Sequence, residues 1–245
     1  MDFGDEVRDR LARNATNTDL KATADAFMAA SISSQYSYNF SWCGRPIIQY
    51  PQDILAMQEL IWRVQPTLII ETGIAHGGSL IFSASMLELL AACGGAANAR
   101  VLGIDIDIRA HNRKAIEDHP LARRVTMIEG SSTSRNVIDQ VMAQVGHGER
   151  VLVFLDSSHT EAHVLAELEA YAPLVSVGSY CVVFDTVIEY FPEASLPGRP
   201  WSVGNNPGTA AQTYLRTHPE FQVDARFDHK LLVSVAPGGY LERIR

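Results

Sequence analysis

Basic residues are scarce in this chain. Its 20 Lys and Arg stand against 28 Asp and Glu, a formal net charge of −8. A surface of that sign repels phosphate backbones and anionic headgroups, which argues against nucleic acid and membrane surfaces as partners. Cysteine is nearly absent. Cys43, Cys93 and Cys181 are odd in number, far apart and in no Cys-x-x-Cys pair. That argues against a disulfide framework and a cysteine zinc site, and it fits a reducing, cytoplasmic compartment. No apolar run reaches the roughly 18 residues of a membrane span. The charged start MDFGDEVRDRLARN does not read as a signal peptide. Repeats, low-complexity tracts and long flexible linkers are missing too. What is present is 245 residues, 47% apolar and 20% charged, enough for one substantial soluble core.

Short apolar runs alternate with helical stretches. The strand candidates are Thr67–Glu71, Val101–Asp105, Val125–Glu129, Val151–Asp156, Ser179–Asp185, Phe221–Phe227 and Leu231–Ala236. The first five start 24 to 34 residues apart, room for one helix between each pair, which is the rhythm of a parallel sheet. Runs such as VLVFL and CVVF are apolar on both faces, as strands covered on both sides should be. Ile54, Met57, Ile61 and Val64 form one helical stripe, and Val164, Leu165, Leu168 and Tyr171 form another. A third runs from Val137 to Val145, with Gly146 as its expected C-terminal cap. The last two strands lack room for a helix between them, so Arg226–Lys230 reads as the turn of an antiparallel hairpin. The expected fold is α/β, an open, doubly wound, mostly parallel seven-stranded sheet with a C-terminal hairpin.

Residues 1–50 differ from residues 51–245. A polar helix is expected from about Asp5 to Ala30, followed by an aromatic cluster of Tyr36, Tyr38, Phe40 and Trp42, then Gln49 and Tyr50. This stretch reads as a cap over the sheet that covers a site or makes a homo-oligomer contact.

Ligands of open parallel sheets bind beyond the carboxyl ends of the strands. Five strand candidates meet an acid there: Glu71, Asp105, Glu129, Asp156 and Asp185. Such a row is costly unless the acids cap helices or meet hydroxyls, amines or a metal ion. The first loop reads Glu71-Thr72-Gly73-Ile74-Ala75-His76-Gly77-Gly78-Ser79. It has neither the Gly-x-Gly-x-x-Gly dinucleotide fingerprint nor the Lys-Ser/Thr pair of a nucleoside triphosphatase, so it favours a nucleoside ligand without pyrophosphate. Asp105 closes the next strand, where a carboxylate can accept ribose hydroxyls. Together these form the pattern of S-adenosylmethionine sites. Asp156 and Asp185, at neighbouring strand ends, can share one hard cation such as magnesium, and His159 is placed to act as a base or to orient Asp156. Cys181 reads as buried packing. His111, His119, His147, His163, His218 and His229 show no metal spacing and read as surface or helix residues.

Longer motifs add to this reading. They are Gly44-Arg45-Pro46-Ile47-Ile48-Gln49, Glu71-Thr72-Gly73 through Gly77-Gly78-Ser79, Leu155-Asp156-Ser157-Ser158-His159, His163-Val164-Leu165-Ala166-Glu167-Leu168, and Pro237-Gly238-Gly239-Tyr240-Leu241. Together they resemble the cephalosporin hydroxylase / rhamnosyl O-methyltransferase family over roughly residues 36–245. The resemblance implies a class I methyltransferase fold with S-adenosylmethionine and magnesium as cofactors. Asp156 and Asp185 would be metal ligands. Glu71, Gly73, His76, Gly77, Gly78 and Ser79 would hold the methionine part of the cofactor, Asp105 its ribose, and Ser131 and Ser132 would lie near its adenine. Where relatives often carry two adjacent acids at the fifth strand end, Phe184 precedes Asp185 here, so Thr186, Glu189 or water would complete the metal site. Tyr38, Trp42, Gln49 and Tyr50 are the candidate acceptor contacts, unless they pack the cap. Asp156 and His159 are the candidate catalytic residues. The function implied is O-methylation of a sugar or natural-product hydroxyl, a small-molecule acceptor. The alternatives are a component of a hydroxylase system and a non-catalytic partner subunit on a methyltransferase fold.

Overall fold

Asn17 divides the N-terminal segment. Its side chain accepts from the Leu20 amide, which starts a new helix, so the single helix expected over 5–30 is two: α1 (Phe3–Thr16) and α2 (Thr18–Ser33). The computed structural model describes residues 2–191 and 198–245. After α2, a 3-10 turn leads into a short antiparallel hairpin, β1 (Phe40–Trp42) and β2 (Arg45–Ile47). Then come α3 (Pro51–Val64), β3 (Leu68–Thr72), α4 (Gly78–Ala92), β4 (Arg100–Asp105), α5 (Ala110–Glu117), β5 (Val125–Glu129), α6 (Arg135–Met142), β6 (Val151–Leu155), α7 (Glu161–Tyr171) and β7 (Tyr180–Val183). The chain ends with α8 (Pro207–Leu215), β8 (Phe221–Val223), α9 (Arg226–Leu231) and β9 (Tyr240–Arg243).

The large sheet runs β5-β4-β3-β6-β7-β9-β8, with β3 to β7 parallel and β9 antiparallel to both of its neighbours. The five parallel strands and the doubly wound, mostly parallel sheet are as expected. Strand order reverses between β3 and β6, and their register sets Thr72 beside Leu155. This is the switch point at which such sheets bind ligands. The pleat divides β3: Ile69 joins the core under α3 and α4, while Leu68 and Ile70 join the opposite core with Val164 and Leu168 of α7. Among the described residues no helix is long and apolar enough to cross a membrane.

The two C-terminal strands pair antiparallel, as expected, but their bounds and the link between them are corrected. The strand from Phe221 stops at Val223 because Asp224 turns the chain. Its Oδ1 accepts from the Arg226 amide and guanidinium at 3.1 and 2.7 Å, and α9 begins where the turn was expected. In the apolar run Leu231–Ala236, Leu231 ends α9 and the rest is a loop, and β9 inserts between β7 and β8. Val235 and Ala236 are buried without strand pairing, so burial alone produced the strand-like pattern. Gly146 does not cap α6. The helix ends at Met142, and the Gly146 amide donates to Glu149 instead.

Asp53, in the first turn of α3, holds that loop. Fully buried, it accepts from Ser234 Oγ at 2.6 Å and the Val235 amide at 2.9 Å. Burial pushes its carboxyl up from an ordinary 3.8 to about 6, against the hydrogen bonds that lower it. A raised folded value means the group favours the fold fully below its unfolded pKa and loses that contribution as pH rises through the folded one. With about 1.4 kcal/mol per pKa unit, wild type should gain roughly 2 kcal/mol on Asp53→Asn between pH 7 and pH 4. Urea titrations of both proteins at the two pH values measure this. A difference that does not change with pH would refute it.

Candidate functional site

A cavity of about 370 Å³ opens at the carboxyl ends of β3, β6 and β7. Asp156 ends β6, His159 lies on the loop after it, and Asp185 follows β7. One ligand atom from each of the three lies within 4.8 Å of the other two. His159 Nε2 is 3.1 Å from Asp185 Oδ2. Gln49 Nε2 donates to Asp156 Oδ2 at 3.2 Å, and among the described residues its own buried Oε1 has no partner. Burial raises the Asp156 carboxyl well above the usual carboxylate range, and the charges of Asp185, Glu71, Glu167 and Asp53 push it further. Asp185 adopts φ 56°, a left-handed conformation uncommon for a non-glycine residue and often met at functional sites. Two adjacent carboxylates and an orphaned amide oxygen are an oxygen donor set that fits a hard divalent cation, whose charge would relieve the repulsion.

The loop after β3 forms the neighbouring wall, where Gly73, His76, Gly78 and Ser79 line the cavity. Two of its glycines are imposed by close approach. A Cβ on Gly78 would stand 2.1 Å from the Pro46 carbonyl oxygen, and one on Gly73 would stand 1.9 Å from that of Asp156. Gly77 caps α4 and lies off the cavity. Arg45 holds the His76 carbonyl and reaches Asn112, which in turn donates to the Ala75 carbonyl. Asp105 Oδ2 accepts from the Ile74 and Ala75 amides at 2.8 and 3.1 Å, so this carboxylate shapes the glycine loop. Glu71 is buried behind the loop, 3.4 Å from the Ser83 hydroxyl, and burial pushes its carboxyl up to about 7. Ser131 pairs with Thr133, and Ser132 with His163. Glu71, Asp105, Ser131 and Ser132 do not line this cavity.

On the acceptor side, Tyr38, Gln49 and Tyr50 line the cavity. Trp42 does not, which corrects its expected role. The hairpin turns its ring onto Phe82 of α4 at 4.9 Å, and its Nε1 donates to Ser85. Thr186 is corrected as well: it is buried, and its hydroxyl donates to the Pro237 carbonyl rather than joining the acidic cluster. Glu189 is likewise engaged, with the Gly204 amide and Asn206. The sequence reading missed Trp201, whose ring meets His159 at 4.7 Å, and Arg199, which lies over Trp201 at 5.2 Å; both line the cavity. It also missed His163, although the four-residue spacing to Glu167 on one helix face was a usable signal.

The strand order, the glycine loop at the switch point and the acids along one rim define a class I S-adenosylmethionine-dependent methyltransferase fold. Within that class the chain belongs to the O-methyltransferase family described as Rhamnosyl O-methyltransferase/CmcI, which matches residues 34–244. It is 32% identical to the rhamnosyl O-methyltransferase of Mycobacterium tuberculosis over 78% of this chain and 73% of that one. It is 28% identical to that of Mycobacterium leprae, over 83% and 82%. A solved CmcI structure described with magnesium and S-adenosylmethionine is similar in fold, with TM-score 0.57 and 16% identity over 85% of this chain and 78% of that one.

Proposed function

We propose that this chain transfers a methyl group from S-adenosylmethionine to a hydroxyl of a sugar or sugar-bearing natural product, with a divalent cation at Asp156 and Asp185. The observation that carries the reading is the Asp156–His159–Asp185 cluster, in one cavity with the Gly73–Ser79 loop. The names of the mycobacterial relatives favour a sugar acceptor. Bound at the two carboxylates, a divalent cation would lower the pKa of an acceptor hydroxyl as a Lewis acid does.

The chain's own residues then align and deprotonate. Asp185 holds the His159 imidazole, which takes the acceptor proton. Gln49 holds one Asp156 oxygen and leaves the other free. Tyr38 and Trp201 supply flat walls for a sugar ring, Tyr50 backs the cap from within the core, and the cap formed by residues 1–50 selects the acceptor. Holding the hydroxyl in line with the methyl carbon supplies the proximity on which transfer depends.

The test is methyl transfer to a panel of glycosides with and without EDTA, followed by His159→Asn. EDTA should abolish turnover and magnesium restore it. Losing the base should cost about 10²- to 10⁴-fold. Full activity in EDTA would remove the cation from the reaction. Oxygen uptake dependent on a reduced nicotinamide, without methyl transfer, would favour a hydroxylase role. S-adenosylmethionine binding without turnover on any acceptor would favour a non-catalytic subunit.

A further inference from the structure

One buried cluster is unused by the chemistry above. Glu167, on α7, is fully buried, and among the described residues its Oε2 has no hydrogen-bond partner. Its Oε1 accepts from Ser157 Oγ at 2.7 Å and lies 3.4 Å from His163 Nε2. That nitrogen is also 3.1 Å from Ser157 Oγ and 3.1 Å from Ser132 Oγ. Proton counting gives the network a direction. A serine hydroxyl has one hydrogen, and that of Ser157 goes to Glu167. For His163 Nε2 to bond Ser157 as well, it has to carry a hydrogen and donate. The same N–H faces Ser132, leaving the Ser132 hydrogen free to point elsewhere.

The cluster joins two distant loops. Ser157 follows Asp156 at the end of β6, and Ser132 follows β5, with β4 and β3 between those strands in the sheet. A buried carboxylate with one oxygen unpaired is costly, and an apolar side chain of similar volume would often pack there at least as well. Retaining the acid at this junction calls for a role that packing does not supply.

We propose that Glu167 is a positioning residue for both halves of the site: through Ser157 it fixes the loop carrying Asp156 and His159, and through His163 it fixes the loop carrying Ser132. The proposal rests on the methyltransferase reading, which places the cation at the first loop and the cofactor's adenosine at the second. Glu167 itself touches neither.

Binding measured by calorimetry, without turnover, separates the two arms. The probes are Mn2+ and S-adenosylhomocysteine, and thermal melting checks each variant's fold. Glu167→Leu should weaken both probes about 10- to 100-fold, as loss of a supporting residue does around metal sites. Ser157→Ala should weaken mainly Mn2+, and His163→Ala mainly S-adenosylhomocysteine. Glu167→Gln keeps an acceptor for Ser157 and should restore Mn2+ binding to within a few-fold. The Ser157→Ala/Glu167→Leu double variant should bind Mn2+ no more weakly than either single one. If Glu167→Leu does not fold, the division of the probes between Ser157→Ala and His163→Ala decides the matter. Wild-type binding of both probes by Glu167→Leu, fully additive losses in the double variant, or undivided effects in the single ones would overturn the proposal. Wild-type protein that binds neither probe would overturn the methyltransferase reading, and the proposal with it.

Discussion

Asp156→Asn will nearly silence methyl transfer and yet make the metal-free protein melt at a higher temperature at neutral pH. The two effects have one cause. Asp156 lies half-buried beside Asp185, where partial loss of solvent disfavours its charge, with Glu71, Glu167 and Asp53 adding negative potential. Its carboxyl is therefore raised well above the usual range, and ionising it opposes folding. Such a group stabilises the fold fully below its unfolded pKa and loses that contribution as pH rises. Asparagine keeps the shape and the Gln49 contact but has no charge to form. In EDTA at pH 7 the variant should melt above wild type, and near pH 4 the gap should close. Magnesium should reverse the order at pH 7, because a ligand that binds only the folded state stabilises it by mass action. Turnover at saturating magnesium should fall about 10³-fold, the scale for removing one preorganised electrostatic group. Equal melting of the two proteins in EDTA would show that Asp156 carries no such burden. Undiminished turnover would move the cation elsewhere.

The sequence was most legible where burial is two-sided. Runs such as VLVFL are apolar on both faces because helices cover both faces of the sheet, so the five parallel strands and the acids at their ends could be read directly. The C-terminal segment misled because Leu231–Ala236 is apolar for a different reason: Leu231 ends α9, and Asp53 pins the loop that follows it into the core. Trp42 misled because a three-residue strand does not announce which face it turns to the core, and here that face meets α4. Thr186 followed the motif correctly, but its hydroxyl was claimed by Pro237, a partner 51 positions away in the chain. The spacing of His163 to Glu167 was legible locally, but the convergence of Ser132 and Ser157 on its ring is long-range and lies outside any local pattern. Asp105 sat where a ribose ligand should, yet both its oxygens accept backbone amides, so its position was legible and its bonding was not.

Gly73→Ala should be the most damaging single methyl group that can be added near the site. Gly73 has φ +90°, and an added Cβ would stand 1.9 Å from the Asp156 carbonyl oxygen, 2.7 Å from the carbonyl carbon and 3.2 Å from Ser157 Cα. All three are backbone atoms, so no side chain can rotate away. Nor can the strands part cheaply. The Gly73 amide donates to the Ile104 carbonyl at 2.8 Å, and the Asp156 amide donates to the Thr72 carbonyl at 3.0 Å, stitching the ends of β4, β3 and β6 together. The left-handed conformation and the overlap together should cost about 3 to 5 kcal/mol. For a chain of this size that is a fall in melting temperature on the order of 10 °C. Whatever folds will carry Asp156 displaced, and misplacement by about 1 Å can cost 10²-fold in rate. Gly148→Ala is the control, since Gly148 has φ +78° but nothing within 4 Å of an added Cβ. It shares the backbone penalty without the collision, so it should lose only about 1 to 2 kcal/mol and keep wild-type turnover. Equal losses in the two variants would mean that the contact between Gly73 and Asp156 constrains nothing. A larger loss confined to Gly73→Ala, with magnesium failing to restore its turnover, would show that the glycine loop and the acidic cluster are built as one unit.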